Sequence, residues 1–128
     1  MTRERLVLGR VGEEIARKYL KKNGYRILEH NFSTPVGEID IIAREEGQLA
    51  FVEVKSLKES SYGFPQERVD RAKQNQIIKA ALCYIKSKGL KDADCRFDVL
   101  AVTFSADGGL NRIELIKDAF QSNGRYLY

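Results

Sequence analysis

GEIDIIAREEGQLAFVEVK, residues 37–55, predicts two short strands joined by a tight turn, and the rest of the chain is arranged around this hairpin. Apolar and polar side chains alternate on each side of the turn, as in strands whose successive residues point to opposite faces. Gly47 supplies the positive φ that a tight hairpin turn requires. With Glu46 and Gly47 as the loop, Asp40 lies opposite Glu53 across the strand pair.

The two faces of the predicted hairpin differ in chemistry. One face is wholly apolar and belongs to a core; it comprises Ile39, Ile41, Ala43, Ala50, Val52 and Val54. The other face carries three carboxylates, one lysine and two large apolar side chains: Glu38, Asp40, Ile42, Phe51, Glu53 and Lys55. Carboxylates that face each other across a strand pair repel. A sheet built only for stability would not place Asp40 opposite Glu53.

A divalent cation between two opposed carboxylates turns their repulsion into coordination. Mg²⁺ prefers one or two carboxylates, with water and substrate phosphate in its remaining positions. Lys55 follows Glu53 by two residues and projects from the same face, where it can hold or help deprotonate a water beside the metal. An Asp followed by Glu-x-Lys on the next strand is therefore a pattern expected for phosphodiester hydrolysis.

Asp40 followed by Glu53-Val54-Lys55 resembles the PD-(D/E)XK motif of the restriction-endonuclease-like superfamily. Over nearly its whole length the chain resembles more closely the YraN family of predicted endonucleases, which are related to archaeal Holliday-junction resolvases. The residues that carry this resemblance are Gly9, Gly12, Glu13, Asn31, GEID at 37–40, FVEVK at 51–55, Gly63, Pro65, Lys73 and RFDV at 96–99. The resemblance implies an endonuclease that binds Mg²⁺ or Mn²⁺ through Asp40 and Glu53, with the Val54 carbonyl as a further ligand.

Two more acidic residues belong to the predicted site. The resemblance implies that Glu13 on the first helix is a third acidic residue near the metal; the alternative is an exposed carboxylate paired with Arg10 or Arg17. Glu38 faces Lys55 in the predicted register. There it either tunes the lysine or forms a salt bridge with no share in catalysis.

Basic residues are predicted to hold the nucleic acid. Arg10 and Arg17, on the solvated sides of the first helix, are expected to contact the DNA backbone. After the third strand, Leu57 stands where the family leads us to expect an arginine, and Lys58 is the candidate to compensate. Lys73 lies on the buried side of the second helix, where it either pairs with a phosphate or carboxylate at the site or extends along its stem to solvent.

The remaining pattern predicts the order helix, three strands, helix, strand, strand. The helices cover Arg3–Asn23 and Pro65 to about Lys88, and the other strands cover Tyr25–Phe32, Cys95–Phe104 and Leu110–Lys117. Gly9 and Gly12, which cost about 1 kcal/mol each inside a helix, indicate close approach of the backbone to the sheet or to a ligand. The second helix is long enough for a right-handed crossover to a parallel strand. We expect one α/β domain over residues 1–128, in three layers with a mixed central sheet, which is also the restriction-endonuclease-like architecture that the resemblance implies.

Asp98 is the exception in the strand Cys95–Phe104. Both faces of this strand are otherwise largely apolar, as in a central strand covered by helices. We predict that Asp98 is a structural partner of Arg96, Lys73 or a backbone N–H rather than a metal ligand.

Composition limits the remaining possibilities. The 128 residues suit one domain with one core, and 43% hydrophobic with 31% charged residues is a globular balance. A net charge of +4 favours a polyanionic partner. No apolar run approaches a membrane span and no signal peptide is recognisable, so we expect a cytoplasmic protein. Cys83, Cys95 and His30 cannot complete an all-His/Cys zinc site; reduced, buried thiols and no catalytic role for His30 are expected.

Three functions fit this pattern. The first is a structure-selective endonuclease acting on DNA, with a homodimer implied by analogy to resolvases and no small-molecule cofactor. The second is a nucleic-acid-binding protein that keeps the fold and has lost efficient turnover. In the third, Asp40, Glu53 and Lys55 are an exposed ion-pair cluster. Metal binding separates them, because an ion-pair cluster binds no metal and a binding-only protein retards DNA with or without Asp40.

Overall fold

The computed structural model describes residues 3–60, 68–90 and 93–121. The elements are α1 (Arg3–Lys22), β1 (Arg26–Thr34), β2 (Gly37–Glu45), β3 (Gln48–Lys58), α2 (Arg71–Ser87), β4 (Cys95–Phe104) and β5 (Leu110–Phe120). This is the predicted order, and β4 has the predicted bounds. Neither of the two helices in the described ranges is both long and apolar enough to cross a membrane.

The five strands form one mixed sheet in the order β1-β2-β3-β4-β5. Three neighbouring pairs are antiparallel, whereas β3 and β4 are parallel. A tight turn can join antiparallel neighbours, but a parallel pair needs a long crossover. The segment containing α2 supplies that crossover, as predicted.

The two helices cover opposite faces of the sheet, which gives the three predicted layers. α1 packs Ala16 and Leu20 onto one face, and α2 packs Ile77, Ala81 and Tyr84 onto the other. Each face therefore has its own apolar cluster, and the central strands are buried on both sides. Each large apolar side chain buried in this way contributes about 1.5–3 kcal/mol.

Glu46 and Gly47 form the loop of the β2–β3 hairpin, as predicted. Their φ angles are 52° and 80°, and a two-residue turn of type I′ needs positive φ at both positions. From this turn the backbone ladder extends to the pair Ile41–Val52. The predicted register is therefore confirmed over the closed end of the hairpin.

At the open end of the hairpin the predicted register is wrong. The ladder stops before the expected pairs Asp40–Glu53 and Glu38–Lys55. The backbone N–H of Val54 instead donates a hydrogen bond to Asp40 Oδ2 at 2.8 Å. A side-chain acceptor thus replaces a backbone acceptor, and β2 and β3 separate at this point.

Ile39 lies on the opposite face from the predicted one. It packs under α2, whereas Ile41 packs under α1 as expected. The β1–β2 ladder has the same register at His30–Ile41 and Phe32–Ile39 but lacks the pair between them, and Asn31 has a left-handed φ of 53°. The change of face therefore accompanies an irregular backbone in the neighbouring strand, directly beside Asp40.

α2 begins later than predicted. Its first residue is Arg71, and Pro65, the predicted start, lies outside the described residues. Asp70 is the N-cap, and its carboxylate accepts the backbone N–H of Lys73 at 2.8 Å. Aspartate is a preferred N-cap residue, so Asp70 is the start signal that the sequence prediction overlooked.

A buried polar network fastens the end of the sheet opposite to Asp40. The fully buried Asp98 accepts hydrogen bonds from Arg96 Nε at 3.0 Å, the Tyr25 hydroxyl at 3.1 Å and the Asp118 N–H at 2.9 Å. Arg96 also donates to Glu45 at 2.7 Å. The predicted partnership of Asp98 with Arg96 and a backbone N–H is confirmed. Because these charges are paired and hydrogen-bonded, their burial is tolerated.

The two cysteines are free thiols. Cys95 is half-buried between its strand neighbours, but Cys83 is exposed on α2. The prediction of a buried thiol is therefore wrong for Cys83, because it lies on the solvent side of the helix.

The two glycines of α1 have different surroundings. A Cβ on Gly12 would collide with the hydroxyl of Ser56 and lie 3.2 Å from its Cβ. A Cβ on Gly9 would have no atom of the described residues within 4 Å. The predicted close approach to the sheet is thus confirmed for Gly12. Gly9 does not approach the sheet within the described residues, and its alternative, close approach to a ligand, stays a prediction.

We predict that alanine has opposite effects at these two positions. Gly9→Ala should raise the free energy of unfolding by about 1 kcal/mol through helix propensity alone. Gly12→Ala should lower it by about 1–3 kcal/mol, because Ser56 must shift and lose the hydrogen bond that its hydroxyl donates to the Leu8 carbonyl at 3.2 Å. Urea unfolding of both variants measures the difference.

The double variant Gly12→Ala/Ser56→Gly is the control for the collision. It removes the Ser56 side chain that the new methyl group would meet. Alanine at position 12 should therefore lower the free energy of unfolding less in the Ser56→Gly background than in the wild-type background. Equal stabilisation by alanine at both glycines would contradict this packing.

Candidate active site

Three of the predicted site residues meet where β2 and β3 separate. The carboxyl groups of Asp40 and Glu53 are close enough for the charge of Glu53 to raise the pKa of Asp40, and Lys55 Nζ lies 3.4 Å from Glu53 Oε2. Glu53 is only 5% exposed. The structure therefore brings an Asp, a Glu and a Lys together without the backbone pairing from which their proximity was predicted.

The local backbone explains how Asp40 is held. A buried backbone N–H requires a hydrogen-bond acceptor, and the separation of β2 from β3 leaves that of Val54 without one from the strand ladder. The Asp40 carboxylate fills this role at 2.8 Å. On its other side β3 keeps a regular parallel pairing with β4 that includes the pairs Glu53–Val99 and Lys55–Ala101. Only one flank of β3 is therefore open.

The two adjacent carboxyl groups are costly to ionise together. Burial raises the pKa of Asp40 most, the neighbouring charge of Glu53 raises it further, and the Val54 N–H offsets part of the rise. The resulting pKa is about 8, against an ordinary value of 3.8. Without a cation, the pair therefore retains a proton at neutral pH.

Two lysines converge on Glu53 from different elements. Lys55 of β3 lies 3.4 Å from Glu53 Oε2, and Lys73 of α2 lies 3.9 Å from the same oxygen. Of the alternatives open for Lys73, the structure thus shows a carboxylate partner at the site. A buried carboxylate needs compensating charge, which these two ammonium groups provide.

Gly37 lets α2 approach closely enough for this contact. A Cβ on Gly37 would lie 3.1 Å from the Gln76 Cβ and 3.2 Å from its carbonyl oxygen. The first residue of β2 therefore packs directly against the backbone of α2, one turn beyond Lys73. Gly37, in the same block as Asp40, thus allows α2 to bring Lys73 to the carboxylates of the strands.

Glu13 and Glu38 border this cluster. Glu13 is half-buried on α1; burial raises its pKa, as do the charges of Glu38 and Glu53, whereas Arg17 lowers it. Glu38 is exposed at the start of β2. Across the described ranges, no three His, Cys, Asp or Glu side chains are grouped closely enough to hold a metal ion. The third-ligand role of Glu13 and the pairing of Glu38 with Lys55 stay predictions.

His30 lies closer to the site than the sequence indicated. It pairs with Ile41, the residue after Asp40, and its charge lowers the pKa of Glu13, whose rise is caused mainly by burial. Its exposed side chain contacts that of Asn31 at 3.4 Å. The sequence of β1 alone does not predict that His30 lies beside the site, because its location depends on how β1 pairs with β2.

The other predicted basic residues lie on or beside α1. Arg10 is exposed, and Arg17 is half-buried and interacts electrostatically with Glu13. Lys58, at the end of β3, forms an exposed ion pair with Glu4, with 3.3 Å between Nζ and Oε1. Their predicted contacts with nucleic acid stay predictions.

We predict that the stability of the metal-free protein falls as pH rises towards 8. Asp40 stays protonated in the folded state while it ionises above about pH 4 in the unfolded state. Its stabilising contribution is therefore complete at low pH and is lost as pH rises through the folded pKa, with a slope approaching about 1.4 kcal/mol per pH unit. Urea unfolding in the presence of a chelator measures this slope.

Asp40→Asn should flatten this pH dependence, because the amide cannot ionise but can still accept the Val54 N–H. Asp107→Asn is the control. Hydrogen bonds from Ser105 and Gly109 lower the pKa of Asp107, so its contribution to folding stability changes with pH in the opposite direction to that of Asp40. A fall of equal steepness in wild type and Asp40→Asn would refute the assignment to Asp40.

Comparison with known proteins identifies the family. The profile described as "Uncharacterised protein family UPF0102" matches residues 12–102, which span the site from Glu13 to Lys73. A UPF0102 protein of Desulfosudis oleivorans is 47% identical over 123 residues, 96% of this chain and 97% of that protein. A UPF0102 protein of Syntrophotalea carbinolica is 47% identical over 124 residues, 97% and 99% of the two chains. A UPF0102 protein of Clostridium perfringens is 45% identical over 114 residues, 89% and 93% of the two chains.

These matches extend over most of both chains and confirm the resemblance to YraN proteins. The protein belongs to the family UPF0102.

Proposed function

We propose that the protein is a metal-dependent endonuclease of the PD-(D/E)XK superfamily. It hydrolyses phosphodiester bonds in DNA, with Asp40, Glu53 and Lys55 as its catalytic residues. One observation carries the proposal: two neighbouring carboxyl groups and a lysine meet where the β2–β3 ladder ends. A buried Glu53 next to a half-buried Asp40 opposes folding at neutral pH. Strongly shifted carboxyl pKa values are concentrated at functional sites.

The donor set fits a hard divalent cation. Mg²⁺ and Mn²⁺ favour oxygen ligands, and Mg²⁺ sites commonly use one or two carboxylates with water and substrate phosphate. Asp40 and Glu53 would hold the ion, with the Val54 carbonyl and Glu13 as candidate further ligands. When bound, such an ion stabilises negative charge on the phosphate and lowers the pKa of a coordinated water.

The two lysines supply the remaining positive charge. Lys55, 3.4 Å from Glu53, is placed to orient the attacking water and to donate to a phosphate oxygen as charge develops on it. Lys73, 3.9 Å from the same carboxylate, is placed to contact phosphate from the side of α2. Glu38 is a candidate to tune Lys55. No base-reading motif is visible in the sequence, so we propose selection by nucleic-acid structure rather than by base sequence.

Metal binding is the first predicted property of the site. Wild type should bind Mn²⁺ in isothermal titration calorimetry and release a proton on binding at neutral pH, because the pKa of Asp40 lies at about 8 without metal. Asp40→Asn should abolish binding without unfolding the protein, as checked by circular dichroism. Asp107→Asn, which alters an exposed turn, is the matched control and should bind as wild type does.

The ion-pair-cluster alternative is separated from the proposal by the same titration. A cluster without a metal role would bind no Mn²⁺ in any of the three proteins. Equal binding by wild type and Asp40→Asn would place the ion elsewhere and refute the proposed site.

Cleavage is the second predicted property. With Mg²⁺ or Mn²⁺, wild type should cut at least one of three labelled DNA substrates: a duplex, a single strand or a four-way junction. Lys55→Ala should lower the rate by about 10²–10³-fold, the usual loss on removing one group that stabilises transition-state charge. Lys88→Ala, at the far end of α2, is the control and should cut at the wild-type rate.

No cleavage by wild type, with salt-sensitive DNA binding equal in wild type, Lys55→Ala and Asp40→Asn, would refute hydrolysis. It would instead support the alternative, a nucleic-acid-binding protein with a nuclease-like fold.

A further inference from the structure

α1 carries a net positive charge as large as that of the whole protein. It contains seven Lys or Arg residues against three Glu, a net charge of +4. The whole chain has 22 Lys or Arg against 18 Asp or Glu, which is also +4. Outside α1 the charges sum to zero, because a net +4 on α2 is offset by −4 over the rest of the chain. A net charge concentrated along one side of a helix creates a local positive potential.

Four of the basic residues form one row along the outer side of α1. Arg3, Arg10 and Arg17 recur at seven-residue intervals, and Lys21 follows four residues later, so the helical repeat places all four on one side. This side lies opposite the residues that α1 buries against the sheet. At about 1.5 Å per residue the row is about 27 Å long. We name these four residues the α1 row.

Two of the three acidic residues of α1 form ion pairs with lysines that are not in this row. Glu4 forms its ion pair with Lys58 on β3, and Glu14 pairs with Lys18, which lies beside the row rather than in it. The third, Glu13, lies on the flank of α1 that faces the candidate site. Its electrostatic partners include both Arg17 and Glu53. One member of the α1 row, Arg17, is therefore linked to the candidate site through Glu13.

We propose that the α1 row is the docking surface for the phosphate backbone of a double-stranded nucleic acid that lies along α1 and passes the site. Its link to catalysis rests on the proposed function, since the row would present the bound strand to Asp40 and Glu53. The row itself is a binding surface, whether or not the site cuts.

The absence of an exposed aromatic surface on α1 favours a duplex. Proteins that hold single strands combine positive charge with aromatic rings on which successive bases stack. The one aromatic residue of α1, Tyr19, is half-buried and packs into the cluster under the helix. Phosphate contacts alone are sufficient to hold a duplex without reading its sequence.

An anionic membrane is the competing occupant, because α1 also exposes Leu6, Val7 and Val11. A helix that lies in a membrane surface buries its apolar face in the lipid. In α1 the main apolar face, including Ala16 and Leu20, is already buried against the sheet. The geometry therefore favours nucleic acid, and vesicles become one arm of the test.

The test compares two charge-matched variants of the full-length protein by fluorescence anisotropy over a series of salt concentrations. Arg17→Gln/Lys21→Gln removes two cations of the α1 row, and Lys18→Gln/Lys22→Gln removes two from the adjacent side of the same turns. Glutamine preserves helix propensity in both. The probes are a labelled DNA duplex, one of its strands alone, and phosphatidylserine-containing vesicles, with a chelator present to prevent cleavage.

We expect wild type to bind the duplex more tightly than the single strand or the vesicles. The slope of log affinity against log salt should become shallower by about 1.8 in Arg17→Gln/Lys21→Gln, about 0.9 for each lost phosphate contact. It should change little in Lys18→Gln/Lys22→Gln. Equal slopes in the two variants would overturn the proposal, as would preferential binding of the single strand or the vesicles.

The test is independent of hydrolysis. Duplex binding that depends on the α1 row, in a protein that cuts none of the DNA substrates, would uphold the docking surface and refute the nuclease. Cleavage that persists with equal slopes in the two variants would uphold the nuclease and overturn the docking surface.

Discussion

The proximity of the Asp40 and Glu53 carboxyl groups is the constraint on which the site depends. It exists because β2 and β3 separate after the pair Ile41–Val52, where the Val54 N–H binds the Asp40 carboxylate instead of a backbone carbonyl. Burial makes two ionised carboxylates at this point unfavourable. The pair must therefore retain a proton or bind a cation. Lys55 lies beside Glu53, so either event changes the charge next to its ammonium group.

The rest of the fold confines this unfavourable arrangement to one end of the sheet. Phe51 and Val52, immediately before Glu53, are fully buried beneath opposite helices. The polar network around Arg96 and Asp98, at the other end of the same strands, pairs its buried charges. Proteins commonly depart from local regularity at functional sites and compensate elsewhere. Here the compensation comes from apolar clusters on both faces of the central strands.

The sequence predicted the parts of the hairpin that local rules determine and failed where neighbouring elements intervene. Glu46-Gly47 and the alternation beside it gave the turn and the register, because both depend on residues close in the chain. The separation at Asp40 depends on a side-chain-to-backbone bond and accompanies the left-handed Asn31 in the next strand, and neither changes the alternation pattern. The contact of Lys73 with Glu53 depends on how α2 docks. The strand pattern and the resemblance both predicted Asp40, Glu53 and Lys55 as the centre of the candidate site, but only the register reveals that His30 borders it.

The pKa of Asp40 tests the central claim most directly. It is measured from the carboxyl carbon chemical shift during a pH titration by nuclear magnetic resonance, without metal and with saturating Mg²⁺. We predict a pKa of about 8 without metal. With Mg²⁺ the pKa should fall to or below its ordinary value, because the cation takes the place of the shared proton. An ordinary pKa in the metal-free protein, or a raised pKa that Mg²⁺ leaves unchanged, would contradict the assignment of this carboxyl pair as a metal site.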